Sequence, residues 1–284
     1  PLAAGQPLVG VVDDITGDGR NDIITGNYAP TGFSVLRNIS EFGKAPEFAP
    51  PTAFVARQSN DSLTVASGDV NGDAKKDVVT GDAGLKQIQI HLNRMASPDS
   101  ELSFESKDPI NLGGEPSFVD LYDLNGDSEL EIVAIVRNPQ ALSILRKATA
   151  GDLTYSARLD IPISGEPWLA KVADLDGDGM REIIFSKTYG TKIGILPNTG
   201  VVGAPVQFGT EIELPAFDNP VLIDVADING DGKPDIAVSS RTSEGQRRGE
   251  RAGGREIARD EDGVVRGEEE ERVGVDKEGG GFGG

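Results

Sequence analysis

DLDGDGMRE, residues 174–182, is one of five copies of the same nine-residue pattern in this sequence. The other copies are DITGDGRND from Asp14, DVNGDAKKD from Asp69, DLNGDSELE from Asp123 and DINGDGKPD from Asp227. They recur about every 53 residues, and self-similarity at a fixed period is the signature of a repeat architecture. Each copy therefore marks one structural unit.

Short segments of strand character flank every copy. The apolar segments before the pattern are LVGVVD (8–13), LTVASG (63–68), FVDLY (118–122), LAKVA (169–173) and LIDVA (222–226). A proline precedes four of them, namely Pro7, Pro116, Pro167 and Pro220, and Ser62 takes that place in the second copy. β-Branched runs such as DIITG and DVVTG follow the pattern, as expected of buried strands that are too short to be helices.

Two further segments complete the unit. A third, alternating segment reads FSVLRN (33–38), IQIHLN (88–93), LSILRK (142–147) and IGILPN (193–198). A fourth carries one aromatic residue at a similar offset, which is Phe48, Phe104, Tyr155 or Phe208. Four short strands per unit predict an all-β fold, a β-propeller of four-stranded blades that stack to bury their faces.

The predicted boundaries follow the repeats. Residues 1–240 hold at least four full blades and part of a fifth, in units that start near residues 5, 60, 114, 165 and 218. The fifth unit loses its third and fourth strands, because a Gly-, Glu- and Arg-rich stretch occupies residues 241–284. Such a stretch cannot bury enough apolar surface to offset the entropy of ordering, so we expect a disordered tail.

Composition limits the partners. Acidic residues (47) outnumber basic ones (27), which argues against a nucleic-acid partner because phosphate binding needs a basic surface. The absence of cysteine rules out a disulfide scaffold and a thiolate zinc site. No apolar run is long enough for direct membrane insertion. The chain starts at Pro1 without an initiator Met, and we expect it to be part of a longer protein that is secreted or on the cell surface.

The repeated pattern places oxygen-bearing side chains at loop positions 1, 3, 5 and 9, and a main-chain carbonyl at position 7 can add another oxygen. Calcium prefers six to eight such ligands at flexible geometry, whereas magnesium needs a stricter octahedron and zinc favours His or Cys. The sequence therefore predicts up to five Ca²⁺ sites. The candidate side-chain ligands are Asp14, Thr16, Asp18 and Asp22; Asp69, Asn71, Asp73 and Asp77; Asp123, Asn125, Asp127 and Glu131; Asp174, Asp176, Asp178 and Glu182; and Asp227, Asn229, Asp231 and Asp235. The candidate carbonyls at position 7 belong to Arg20, Lys75, Glu129, Met180 and Lys233.

The five loops are not equivalent. Position 6 favours glycine, which supplies a positive φ, and loops two and three lack it. In loop order, the residues at position 6 are Gly19, Ala74, Ser128, Gly179 and Gly232. Loop four (Asp174–Glu182) has the most carboxylates and should bind best, followed by loop five (Asp227–Asp235). Loop one comes next, because Thr16 offers only a hydroxyl, and loops two and three should be weakest.

These loops and strands resemble the FG-GAP (VCBS-type) repeats of integrin α-chains and of many secreted bacterial proteins. The resemblance covers residues 5–240, and the namesake fragments occur as Gly203-Ala204-Pro205 and Phe208-Gly209. It implies a seven-bladed ring in the commonest cases, so four full units and part of a fifth would form an incomplete ring that self-associates through open edges. It also implies a role in adhesion and extracellular recognition.

Function must be argued from sites, and the convincing sites here are structural metal sites. We expect a non-catalytic module that presents its loops to an extracellular protein or glycan. The alternatives are a carbohydrate-binding, lectin-like propeller and the propeller part of a polysaccharide-acting enzyme such as a lyase. An isolated Asp/Asn/Gly cluster is ordinarily a plain turn, and the fivefold repetition is what favours metal. We expect His91 to be a packing or surface residue and Trp168 to lie in the core.

Overall fold

The computed structural model describes residues 6–28, 32–55, 63–149, 153–241 and 255–256, and these ranges contain twenty β-strands and no helix. A helix able to cross a bilayer is thus absent from this part of the chain. The first nine strands are β1 (Gln6–Asp13), β2 (Asp22–Tyr28), β3 (Gly32–Leu36), β4 (Thr52–Val55), β5 (Leu63–Gly68), β6 (Asp77–Asp82), β7 (Gln87–Asn93), β8 (Phe104–Ser106) and β9 (Ile110–Asn111). The others are β10 (Glu115–Tyr122), β11 (Glu131–Arg137), β12 (Ala141–Arg146), β13 (Ala157–Pro162), β14 (Glu166–Ala173), β15 (Glu182–Thr188), β16 (Lys192–Leu196), β17 (Ile212–Pro215), β18 (Pro220–Ala226), β19 (Asp235–Ser240) and β20 (Arg255–Glu256).

The strands form five antiparallel sheets, which we call blades 1 to 5. Blades 1, 3 and 4 have the orders β1-β2-β3-β4, β10-β11-β12-β13 and β14-β15-β16-β17, so that neighbours in sequence are neighbours in space. Blade 2 has the order β5-β6-β7-β8, and β9 adds to it by pairing with β7. The predicted all-β propeller of four-stranded blades is therefore confirmed.

The core lies between blades rather than within them. The first strands of successive blades contact one another, as β1 does with β5 and β10 does with β14. Each apolar cluster draws on two adjacent blades; for example, Phe33 and Val35 of blade 1 pack with Val65 and Val78 of blade 2. A single blade cannot bury its own faces, so this stacking supplies the hydrophobic stabilisation of the fold.

The prolines that precede the first strands in our sequence analysis lie inside those strands. Pairing of the first and second strands shifts register just after Pro7, Pro116, Pro167 and Pro220. Proline has no N–H to donate, and within sheets it is confined to edges and bulges. The recurring proline therefore marks a β-bulge near the start of the first strand, and the predicted strand starts were too late.

The aromatic residue of each fourth segment also needs a correction. Only Phe104 lies in a fourth strand, at the first position of β8. Phe48 and Phe208 form isolated bridges to Asn38 and Asn198, and fully buried Tyr155 precedes β13. Tyr155, Phe104 and Phe208 pack in or against the core, whereas Phe48 belongs to no core cluster. In blades 1, 3 and 4 the outer strand begins a few residues after the aromatic residue.

The expectation that Trp168 lies in the core is wrong. Trp168 is the third residue of β14, and 44% of its surface is exposed. It lies at the bulge that follows Pro167, where the alternation of inward and outward side chains is interrupted. Period-two patterning therefore cannot assign its direction.

Blade 5 is the least regular sheet. It contains β18 and β19, with the two-residue strand β20 paired to Val238 and Ser239. This pairing gives the blade a short third strand that the sequence analysis did not expect. The rest of the predicted disordered tail, residues 242–254 and 257–284, lies outside the described residues.

His91 is a packing residue of blade 2. Only 2% of it is exposed, and its two ring nitrogens lie 3.0 Å from Thr80 Oγ1 and 2.8 Å from Ser106 Oγ. Its ring also packs against Phe33 of blade 1, with 4.9 Å between centroids. Because burial penalises the charged imidazolium, the pKa of His91 falls to about 4.

The depressed pKa of His91 predicts a loss of stability in mild acid. His91 takes up a proton near pH 6.5 in the unfolded chain and only near pH 4 in the folded chain. The stabilisation that comes from burying the neutral imidazole is therefore complete above pH 6.5 and is lost as the pH falls to 4. The loss amounts to at most about 3 kcal/mol. We expect His91→Gln, which keeps hydrogen-bonding capacity, to abolish this part of the pH dependence.

Urea unfolding of both proteins from pH 7.5 to 4, in excess calcium, measures the effect. The wild type should be the more stable protein at pH 7.5, and its advantage should shrink as the pH falls. Parallel stability curves for the two proteins would contradict the assignment.

Candidate metal centres

The five predicted metal loops share one backbone turn held by the carboxylate at position 1. In loop one, Asp14 accepts hydrogen bonds from the backbone N–H groups of Gly17, Asp18 and Gly19, at 2.7, 3.1 and 2.7 Å. Asp69, Asp123 and Asp227 accept from the same three positions of their loops, and Asp174 accepts from positions 4 and 6. These self-satisfied turns hold the loop carboxylates in place before any ligand arrives.

Position 6 has a positive φ in every loop. Gly19, Gly179 and Gly232 have φ values of 85°, 87° and 85°, and Ala74 and Ser128 take the same region at 66° and 68°. Loops two and three thus keep the backbone path of the others but carry the strain of a side chain there, about 1 kcal/mol each. That these two loops are the weaker metal sites stays a prediction.

Position 9 is buried in every loop, beneath the turn. In loop two, both oxygens of Asp77 are occupied, one by the backbone N–H of Val70 at 3.0 Å and the other by that of Asn93 at 2.8 Å. The first partner belongs to loop position 2 and the second to the end of the third strand. Loops one and four repeat the double contact, with Thr16 as the loop donor in loop one, and Glu131 and Asp235 accept at least the loop N–H. The acid at position 9 therefore joins each loop to its blade.

Burial disfavours the ionised form of four of these acids. Desolvation raises the pKa of Asp77 to about 6 and that of Glu131 to about 7, and it raises the pKa of Asp22 and Glu182 as well. Neighbouring loop carboxylates add to the rise for Asp77 and Glu131. These acids have lower pKa values in the unfolded chain than in the folded one. The stability of the metal-free fold therefore decreases as the pH rises from the unfolded-state pKa values through pH 6 to 7. A divalent cation beside these groups would favour their charged forms.

Loop four has the arrangement best suited to a cation. Carboxylate oxygens of Asp174, Asp176 and Glu182 lie within 4.8 Å of one another, the one group of at least three such acidic or imidazole ligands in the described part of the chain. Asp178, at position 5, lies outside this group, and its Oδ1 accepts the backbone N–H of Met180. Hard oxygen donors at this spacing fit calcium, and a bound cation would neutralise their mutual repulsion.

The loops with asparagine at position 3 satisfy themselves differently. The side-chain amides of Asn71, Asn125 and Asn229 donate to the carboxylates of Asp73, Asp127 and Asp231, at 3.1, 2.9 and 2.9 Å. In loop four Asp176 has no such donor to offer. An amide rotation would turn the oxygen of each asparagine toward a cation, so these loops also fit calcium once the internal bond is given up.

Loop one contains its own cation. The guanidinium of Arg20, at position 7, donates to Asp18 at 2.6 and 3.1 Å and lowers the pKa of that carboxyl. A metal ion in loop one would compete with this bidentate pair. The other position 7 residues share with Arg20 a backbone N–H donated to the acid at position 5, and they are Lys75, Glu129, Met180 and Lys233. Their carbonyls stay predicted ligands.

Sequence reasoning missed an asparagine that ties the loops to the neighbouring blade. In blade 4, the amide of Asn198 donates to Arg181 O of its own loop at 3.2 Å and to Leu124 O of the blade 3 loop at 2.9 Å. In blade 2, Asn93 donates to Lys76 O and to Ile15 O of the blade 1 loop, at 3.1 and 2.8 Å. The signal was available, because asparagine ends three of the four third segments.

These tethers predict a measurable contribution to stability. Asn198→Ala removes both donors and leaves the carbonyl of Leu124 without this partner at a buried site, which should cost about 1 to 3 kcal/mol. Asn38→Ala is the matched control, because the amide of Asn38 bonds to Asn21 O in its own blade. Chemical denaturation should show the larger loss for Asn198→Ala. Equal losses would refute an inter-blade role.

The strain at position 6 predicts a stabilising substitution. Ala74→Gly relieves a positive φ of 66° in a loop where the backbone path is already set. We expect a gain of up to about 1 kcal/mol, since the added flexibility of the unfolded chain offsets part of the relief. Ala96→Gly, at an exposed loop position outside the positive-φ set, should be neutral or destabilising. Thermal unfolding at fixed calcium separates the two, and a loss for Ala74→Gly would contradict the argument.

Comparison with known proteins places these loops in one family. The FG-GAP-like repeat profile matches residues 14–80 and 123–185, and the FG-GAP repeat profile matches residues 220–247. None of the curated proteins matches the chain. A solved Agrocybe aegerita lectin, described as recognising non-reducing terminal N-acetylglucosamine, shares the fold with a TM-score of 0.53 at 20% identity; the match covers 82% of this chain and only 61% of the lectin. The sequence, the five blades and their loops agree that this chain belongs to the FG-GAP repeat family.

Proposed function

We propose that this chain is a calcium-stabilised propeller module that works outside the cell, secreted or at the cell surface, in non-catalytic recognition of a protein or glycan. The observation that carries the proposal is the convergence of Asp174, Asp176 and Glu182 in loop four, whose pattern recurs four more times along the chain. The loops lie at one end of the first strands and leave the opposite end of the blades for a partner.

Calcium explains features that an ordinary acidic turn does not. A plain Asx turn needs the acid at position 1, but it does not need a second acid buried at position 9 with a raised pKa. Burying a charge is costly unless it is paired, and a divalent ion above the turn would supply the pair. Calcium is also abundant outside cells, where modules with weak sites work at millimolar concentrations.

A binding role fits the chain better than a catalytic one. The single histidine is sealed between Thr80 and Ser106, where it cannot reach a substrate. The acids of raised pKa at the loops occupy a repeated structural position, so their perturbation has a structural cause. His91 and the loop acids therefore give the enzyme alternative no support.

Carbohydrate recognition is the second candidate function. Its support is the exposed ring of Trp168, which stacks against Arg137 at the boundary between blades 3 and 4. A flat aromatic ring beside hydrogen-bonding groups is a common way to bind a sugar. The printed sugar specificity of the Agrocybe aegerita lectin agrees with this candidate but concerns that protein.

The calcium proposal predicts a metal-dependent melting temperature. At calcium ten times the dissociation constant, each occupied site should add about 1.4 kcal/mol to the free energy of unfolding. Thermal unfolding in chelator, in calcium and in magnesium checks this. We expect a large upward shift with calcium that magnesium reproduces only in small part.

Two variants assign the shift to the loops. Asp176→Asn converts position 3 of loop four to the residue found in loops two, three and five, and should weaken the tightest site toward the affinity of loop five, because it removes one of three converging carboxylates. Asp99→Asn changes an exposed acid outside the pattern and should leave the calcium shift intact. No calcium shift in the wild type, or an undiminished affinity of Asp176→Asn, would rule out the proposal.

A further inference from the structure

The end of the blades opposite the metal loops carries a second group of polar and aromatic residues. Glu115 is the first residue of β10 and Arg137 the last of β11, so both lie far from the loop that joins these strands. Trp168 lies near the start of β14, whose other end leads into loop four. The group therefore spans the boundary between blades 3 and 4, away from every calcium loop.

Repeat structure does not require tryptophan at position 168. The residue after the recurring proline is Ser117 in blade 3 and Val221 in blade 5, both smaller than tryptophan. Trp168 is the only tryptophan of the chain, and leaving 44% of it in water forgoes hydrophobic stabilisation. Single exposed apolar side chains are common on protein surfaces, so the polar groups beside the Trp168 ring, rather than its exposure alone, point to a ligand.

Arg137 lies over this ring and makes few strong polar contacts with the rest of the described residues. Its guanidinium carbon lies 5.5 Å from the centroid of the Trp168 ring, a cation–π contact that holds the two side chains together. Its ion pair with Glu115 is long, at 3.7 Å, and the side chains of both are 31% exposed. Its Nε is a buried atom without a hydrogen-bond partner within the described residues, so a ligand cannot reach it directly. The terminal N–H groups of the part-exposed guanidinium are the donors that a ligand could occupy.

Glu115 and Asn138 complete the chemistry. The amide of Asn138 donates to Glu115 Oε2 at 3.3 Å, which fixes the carboxylate beside Arg137. One patch then combines an apolar ring, a guanidinium donor and a carboxylate acceptor. An anionic ligand would meet the Glu115 carboxylate and a chain of net charge −20, so a neutral ligand that both donates and accepts hydrogen bonds fits better.

We propose that Trp168, Arg137 and Glu115 form a binding site for one uncharged pyranose unit of a glycan, with or without an N-acetyl group. The C–H face of the sugar lies against the part of the indole left exposed beside Arg137, and its hydroxyls accept from the terminal N–H groups of Arg137 and donate to Glu115. A few polar groups around an aromatic surface give orientation and specificity in such sites. This inference deepens the proposed recognition function, but it does not depend on calcium binding.

Trp168 is itself the reporter for the test, because its fluorescence is the only tryptophan signal of the protein. The calcium-loaded full chain is titrated with the methyl glycosides of glucose, galactose, mannose and N-acetylglucosamine. We expect a saturable change in emission with at least one glycoside, and none with sorbitol, which lacks a ring. No saturable change with any of the four glycosides would overturn the proposal.

Variants separate the site from the fold. Arg137→Met keeps an apolar stem over the ring and removes the donors, and we expect about a tenfold or greater loss of glycoside affinity. Glu115→Gln should weaken binding in the same direction. Arg94→Met breaks a surface Arg–Glu pair of 2.6 Å on blade 2 and should leave affinity unchanged.

Melting in calcium and in chelator, on the same samples, keeps this inference distinct from the calcium proposal. Glycoside binding without a calcium shift would support the site while the metal proposal fails. Unchanged glycoside affinity in folded Arg137→Met would overturn the site whatever calcium does. Saturation by an acidic peptide instead of the glycosides would overturn it as well.

Discussion

The buried acid at loop position 9 is the interaction on which the rest of this structure depends. In blade 2 it is Asp77, whose two oxygens bind the loop at Val70 and the third strand at Asn93. The side chain of Asn93 then reaches Ile15 O in the loop of blade 1. Three levels of structure therefore meet at one carboxylate: the turn, the four-stranded sheet and the contact between sheets.

This joint has an electrostatic cost that varies with the loop. Buried carboxylates near other carboxylates favour their protonated forms, as the raised pKa values of Asp77 and Glu131 indicate. Loops with an asparagine amide or with Arg20 relieve part of the repulsion internally. Loop four has neither, since Asp176 stands where other loops have asparagine or threonine. We therefore expect loop four, whose carboxylate oxygens already converge, to gain most from a bound cation.

The features of the fold and the loops that could be predicted from the sequence are those that recur in every repeat. The strands recur in every copy, so comparison of copies revealed them, whereas the positive φ of Ala74 and Ser128 was not expected because neither residue is glycine. The tether by Asn93 and Asn198 also recurs, but its partner lies in another blade, and spacing along one chain does not show which carbonyl an amide will meet. The bulge at the recurring proline was hidden for a related reason, because bulges change register without changing composition.

The sequence wrongly predicted a core position for Trp168, because this residue does not recur in the repeats. It occurs once, at a bulge where alternation fails, and an apolar side chain in a strand is ordinarily assigned to the core. The constraints of the repeat act most strongly at the loop end, where the acids, the glycines and the tethers hold adjacent blades in one arrangement. Among the described residues, the opposite end of blades 3 and 4 repeats the bulge proline but shows no comparable set of repeated side-chain hydrogen bonds, so its other side chains can differ from blade to blade. Residues that confer specificity are therefore expected among those that do not repeat, and the pair formed by Trp168 and Arg137 meets that condition.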